Sequence, residues 1–174
     1  MPSPPDVRHD NIVDAAVLAG AGSEIDRTYT GAELARLSEA GAAKSSSVSA
    51  HLSFSEFDGR PVITGRVSGT IVLTCQRCMS LLSNPLDESF RVLIVDEELA
   101  DEPGGYEPVL ANPNRLDLRW LVEDQVLLAL PLVPMHAEDD CDEQQRLQQA
   151  QSEINDADAG QKPFQNLRDM MRKR

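Results

Sequence analysis

Aromatic side chains are nearly missing from this chain: they make up 4% of its 174 residues, with a single tryptophan. Its core must rest on Leu, Val and Ala, which bury less area per side chain than Phe or Trp. The length suits one core and is too short for two large domains. Long apolar runs are missing too. No stretch approaches the ~20 apolar residues of a membrane span. Met1 to Asp10 carries Pro and Asp where a secretory leader has basic residues followed by an apolar run. A cytoplasmic protein is expected. Three cysteines are too few, and odd in number, for a disulfide framework. In a reducing compartment they fit metal binding or plain burial.

Positive charge is also in deficit. A formal net charge of −13 repels phosphate backbones and anionic membranes and favours basic partners. Signatures of catalysis are absent as well: there is no glycine-rich phosphate loop, nucleophile elbow or His-Glu-x-x-His. No catalytic residue is assigned.

What is present begins with a switch of period. Ile12 to Gly22 is Ala-rich and predicts a short helix, and Ser23 to Tyr29 a short strand. Thr30-Gly31-Ala32-Glu33 has capping-box spacing, and the helix after it carries Leu34, Ala35 and Leu37 before ending near Gly41. Lys44 to Ser47 is a linker. From Val48 the period becomes two: Val48, Ala50, Leu52 and Phe54 alternate with polar residues, as in a half-buried strand. Asp58-Gly59 is a strong hairpin signal. The return strand places Ile63, Val67, Ile71 and Leu73 on one face, with Gly65 and Gly69 among them, where they predict a bulge or close helix packing.

Further on, Asn84-Pro85 predicts a turn and Leu86 to Val95 a third, central strand. Asp96 to Glu107 is an acidic, mobile loop, and Val109-Leu110 a short edge strand. Asp117 is placed to cap a helix from Leu118 to about Ala129, with Leu118, Leu121, Val122, Gln125 and Leu128 on one stripe and Pro131 and Pro134 beyond it. The expected architecture is α+β: an antiparallel sheet with helices packed on one side. One domain spans 1–136, an acidic flexible linker 137–161, and a short basic helical segment 162–174.

The chemistry-bearing residues sit at two places. Cys75-Gln76-Arg77-Cys78 closes the hairpin's second strand, and His136 and Cys141 follow the last helix. Three thiolates and an imidazole make a closed structural zinc set with no open position for catalysis. The plainer alternative is buried or free reduced thiols. Redox catalysis fits poorly, because low-pKa Cys-x-x-Cys pairs open a helix, whereas this one ends a strand. Arg60, Arg66, Arg77 and Arg91 are candidates for an RNA patch or, more simply, scattered surface charges. The tail, with Lys162, Phe164, Arg168, Arg172, Lys173 and Arg174, concentrates its charge and is the better candidate for touching RNA; docking of Phe164 and Leu167 on the protein's own body is the competing reading.

These motifs together resemble one family. Thr74-Cys75-Gln76-Arg77-Cys78, Tyr106-Glu107-Pro108, Asp117-Leu118, Val122-Glu123-Asp124 and Leu128-Ala129-Leu130-Pro131-Leu132-Val133-Pro134-Met135-His136, with Cys141 and Lys162-Pro163-Phe164, are similar to the bacterial YceD family of large ribosomal RNA subunit accumulation proteins. The resemblance implies a non-enzymatic role in synthesis, processing or stability of large-subunit (23S) ribosomal RNA. The partner expected is that RNA or, because the chain's own surface is acidic, a basic ribosomal protein or assembly factor. It supplies neither a catalytic residue nor an established metal. The alternative is a zinc- or thiol-dependent regulatory protein built on Cys75 and Cys78.

Overall fold

The computed structural model describes residues 11–97, 103–137 and 140–141. The linker and basic tail expected beyond residue 141 lie outside them. Between β2 (Glu24–Thr30) and α3 (Leu118–Ala129) runs a five-stranded sheet of order β2-β3-β4-β5-β6, with β3 at Ser47–Phe57, β4 at Arg60–Thr74, β5 at Leu81–Val95 and β6 at Glu107–Leu110. Alternation sets its faces. Val48, Ala50, Leu52 and Phe54 of β3 pair with Gly69, Val67, Gly65 and Ile63 of β4. All four apolar residues on each strand's predicted inner face are buried. Three helices, α1 (Ala15–Gly20), α2 (Ala35–Glu39) and α3, contribute to that same cluster, so the helices cover one face. The opposite face exposes Ser49, Thr64, Arg66 and Thr70. At one end it carries a small second cluster of Val62, Leu93 and Val95 beside Phe57 and Tyr106.

The hairpin forms where expected. Asp58 and Gly59 have φ of 51° and 71°, the positive pair a two-residue turn between Phe57 and Arg60 requires. The inner-face glycines admit neighbours other than a helix. Gly65 lies opposite Phe90, whose ring fills the space above it. Gly69, at φ 150°, brings its backbone against the Ser47 carbonyl.

Several expectations are corrected. The turn placed at Asn84-Pro85 is not there: β5 runs through it, with Pro85 opposite Thr70. Proline is tolerated because β6 pairs only with Val92 to Val95, so β5 has a neighbour on one side at Pro85. The central strand is β4, not β5. The sheet is not wholly antiparallel, since β6 pairs parallel to β5 after the crossover from Asp96, and Glu107 belongs to that strand rather than to the loop. Residues 98–102 of the loop lie outside the described set.

The first predicted helix is split. Ile12–Val13 (β1) pairs with Leu116–Asp117 (β7), and α1 starts only after Asp14, whose Oδ1 accepts the Val17 N–H at 3.0 Å. The capping-box carboxylate does reach back, Glu33 Oε2 accepting the Thr30 N–H and hydroxyl at 2.8 Å each. The helix nevertheless begins at Ala35, after Leu34. Its open Leu37 N–H donates instead to Glu123 Oε1 of α3 at 3.0 Å. On α3, Leu128 is not on the buried stripe; burial continues through Val126, with Leu127 and Ala129 partly covered.

Candidate metal centre

β4 delivers Cys75 into a tight knuckle. Its N–H donates to the Ser80 carbonyl and its carbonyl accepts the Met79 N–H, both at 2.9 Å. Met79 takes the left-handed conformation, φ 61°, that turns the chain back into β5. Segment 130–137 then passes across the knuckle. The Gln76 N–H donates to the Pro134 carbonyl at 2.9 Å, and Arg77 Nη2 lies 3.7 Å from Met135 Sδ. The chain bends at Leu132 and Val133 between the two prolines that stop α3, and His136 arrives beside Cys78.

The four sequence-predicted ligands come together. One donor atom each from Cys75, Cys78, His136 and Cys141 lies within 4.8 Å of every other. Cys75 and Cys141 are fully buried. His136 Nδ1 is 3.4 Å from Cys78 Sγ, while its Nε2–H donates to the Leu81 carbonyl at 3.1 Å. That outer hydrogen bond orients the ring so that Nδ1 faces the sulfurs. Ser80 Oγ is 3.0 Å from Cys78 Sγ.

The electrostatics favour sulfur in its anionic form. Burial pushes the Cys75 thiol up, but the backbone N–H groups of Cys78, His136 and Arg77, with the Cys78 side chain, outweigh it and bring it down to about 5. Cys78 is lowered, chiefly by the Ser80 hydroxyl and N–H. His136 is raised, first by its hydrogen bond with Cys75. Four protein donors would fill every position of a tetrahedral ion and leave none for a substrate.

The other sequence candidates do not assemble. Arg66 stands on the open sheet face, held by Asp87 through Nε at 2.7 Å and Nη2 at 2.6 Å. Arg60 faces Glu97 at 3.8 Å, and Arg91 stacks 4.8 Å over the Tyr106 ring. Arg77 belongs to the knuckle, at the other end of β4 from Arg60. Lys162, Phe164, Arg168, Arg172, Lys173 and Arg174 lie outside the described residues. Sequence reasoning missed the supporting groups Ser80 and the Leu81 carbonyl. A hydroxyl two residues after Cys78 was the available signal for the first; a backbone carbonyl carries none.

A family model described as "Large ribosomal RNA subunit accumulation protein YceD" matches residues 63–171, which include both halves of this centre. The chain belongs to the YceD family. A YceD relative from Haemophilus influenzae, named Large ribosomal RNA subunit accumulation protein YceD, is 38% identical over 84 residues, covering 47% of this chain and 48% of the relative. The chain thus matches about half the length of that curated relative. No solved structure matches it. Among the described residues of this YceD-family chain, no helix is long and apolar enough to cross a membrane.

Proposed function

We propose that this chain promotes accumulation of large-subunit ribosomal RNA by binding, without catalysis, and that its direct partner is a basic ribosomal protein or assembly factor. The observation that carries the role is membership of the YceD family across residues 63–171.

Three features support a protein partner over bare RNA. A chain at −13 lacks the excess of cations that releases counterions from a phosphate backbone. Arg66, exposed on the open sheet face, is already paired bidentately with Asp87. The knuckle and the segment across it also expose large apolar side chains: Met79 at 71%, Leu81 at 69%, Leu132 at 101% and Val133 at 55%. Apolar groups with charge around them suit a protein surface better than a duplex. The thiol-regulatory alternative has less support, because Cys75 and Cys141 are fully buried and the knuckle follows a strand, without the helix N-terminus that activates a redox thiol.

Crosslinking in cells with identification of both protein and RNA partners tests this reading, alongside the ratio of large- to small-subunit ribosomal RNA after depletion. The expected result is a lowered ratio and crosslinks from the knuckle to a basic protein. An unchanged ratio would overturn the role. RNA crosslinks confined to Arg66, Arg77 or residues 162–174 would overturn the choice of partner.

A further inference from the structure

We propose that Cys75, Cys78 and Cys141, through sulfur, and His136, through Nδ1, bind one zinc ion as a closed structural site that ties His136 and Cys141 to the end of the β4–β5 hairpin. The inference goes beyond the ribosomal reading and does not depend on it.

Proximity alone is weak support, since cysteines cluster in cores for packing. Four further observations point to a cation. First, the dimensions fit. With Zn–S near 2.3 Å and Zn–N near 2.0–2.1 Å, a tetrahedron has S···N edges of roughly 3.6 Å and S···S edges of roughly 3.8 Å. Cys78 Sγ to His136 Nδ1 is 3.4 Å, and no pair in the set exceeds 4.8 Å, so closure on an ion asks for shifts within side-chain reach. Second, the imidazole is oriented from outside, its Nε2–H held by the Leu81 carbonyl at 3.1 Å. A histidine packed for shape alone has no need to turn Nδ1 toward three sulfurs, whereas a ligand histidine is normally anchored through its other nitrogen.

Third, the knuckle places a hydroxyl against sulfur, with Ser80 Oγ 3.0 Å from Cys78 Sγ. A hydroxyl there suits a metal-bound thiolate, whose charge a divalent ion only partly cancels. Fourth, the cluster uses every cysteine in the chain, and its members come from two segments far apart in sequence. Packing gives no reason for that economy. Soft sulfur with one imidazole selects zinc over the hard, oxygen-seeking magnesium and calcium. The absence of an open position makes the role one of folding rather than catalysis.

Because no cysteine lies elsewhere, thiol chemistry reads this site without background. Protein purified from cells without chelator is analysed for zinc and iron. The reduced metal-free protein is then titrated with Co²⁺. About one equivalent of zinc is expected, with the strong visible bands and near-ultraviolet sulfur charge transfer of tetrahedral cobalt. All three thiols should react slowly with an aromatic disulfide reagent until a chelator is added. His136→Cys should keep the metal and His136→Ala should lose most of it; the wild-type cobalt spectrum decides the matter even where a variant fails to fold. Less than about a tenth of an equivalent of zinc together with no tetrahedral cobalt spectrum would overturn the site. Iron in place of zinc would overturn the choice of ion.

Discussion

The ring of Phe90 occupies the space that a side chain at Gly65 would need: a Cβ there would overlap three of its ring atoms. The two residues are directly paired between β4 and β5, at the middle of the face that carries the helices. Gly65→Ala forces the ring aside in a close-packed core, and overpacking of this kind costs about 1–3 kcal/mol. Chemical denaturation of Gly65→Ala, Phe90→Leu and the double variant measures it. The smaller side chain at residue 90 should recover much of the loss in the double variant. Additive losses would show that the ring is not the obstacle.

A second dependence links two helices. Glu123 is buried, at 6% exposure, and its Oε1 accepts the N–H of Leu37. A carboxylate from α3 thereby caps α2, whose own flanking residue, Leu34, has no side-chain acceptor to offer. Glu123→Ala strands a buried N–H and should destabilise the protein by about 1–3 kcal/mol. Glu123→Gln keeps a carbonyl oxygen in place and should lose less. Hydrogen exchange at the Leu37 amide is the direct readout, accelerating in the alanine variant and changing little in the glutamine one.

These pairs show where the sequence is legible and where it is not. The period-two run from Val48 and the Asp58-Gly59 turn identify the hairpin and its buried face, because alternation and positive φ are local demands. The meeting of Cys75, Cys78, His136 and Cys141 was legible on a different ground: cysteine and histidine are rare here, and their chemistry is narrow. What escaped was decided by neighbours remote in the chain. Asn84-Pro85 looks like a turn until β4 supplies a partner and β6 stops short of it. The start of α2 is set by Glu123, 86 residues away, not by the box beside it. Leu128 satisfies the helical period, yet Val126 takes the burial, because periodicity gives a stripe and not its width.

The alkaline limit of stability should report Tyr29. Burial pushes its hydroxyl up from 10.0 to about 12, and the neutral group donates to Asn11 Oδ1 at 3.0 Å. A folded value above the unfolded one means that the unfolded chain ionises first. The contribution is therefore intact below pH 10 and is lost progressively as pH rises from 10 to about 12. Tyr29→Phe should lower stability modestly at neutral pH by removing that hydrogen bond, on the order of 1 kcal/mol. It should also flatten the fall above pH 10. Denaturation midpoints of both proteins across this range give the comparison, and parallel curves would rule Tyr29 out as the source.

Leu132 separates binding from folding more cleanly than any core position. It is fully exposed, at 101%, and sits between Pro131 and the Pro134 carbonyl that receives the Gln76 N–H. A substitution there touches no buried group, so Leu132→Lys should shift stability by no more than about 0.5 kcal/mol. If the apolar side chains around the knuckle form the contact with a basic protein partner, placing an ammonium among them desolvates a charge and sets it against the partner's own cations. Cells carrying Leu132→Lys as their sole copy should then show lowered large-subunit ribosomal RNA and loss of the protein crosslink, with the purified variant unfolding as wild type does. Full complementation by Leu132→Lys would remove this surface from the binding role. An unstable variant would instead show that the segment packs more tightly on the knuckle than its exposure indicates.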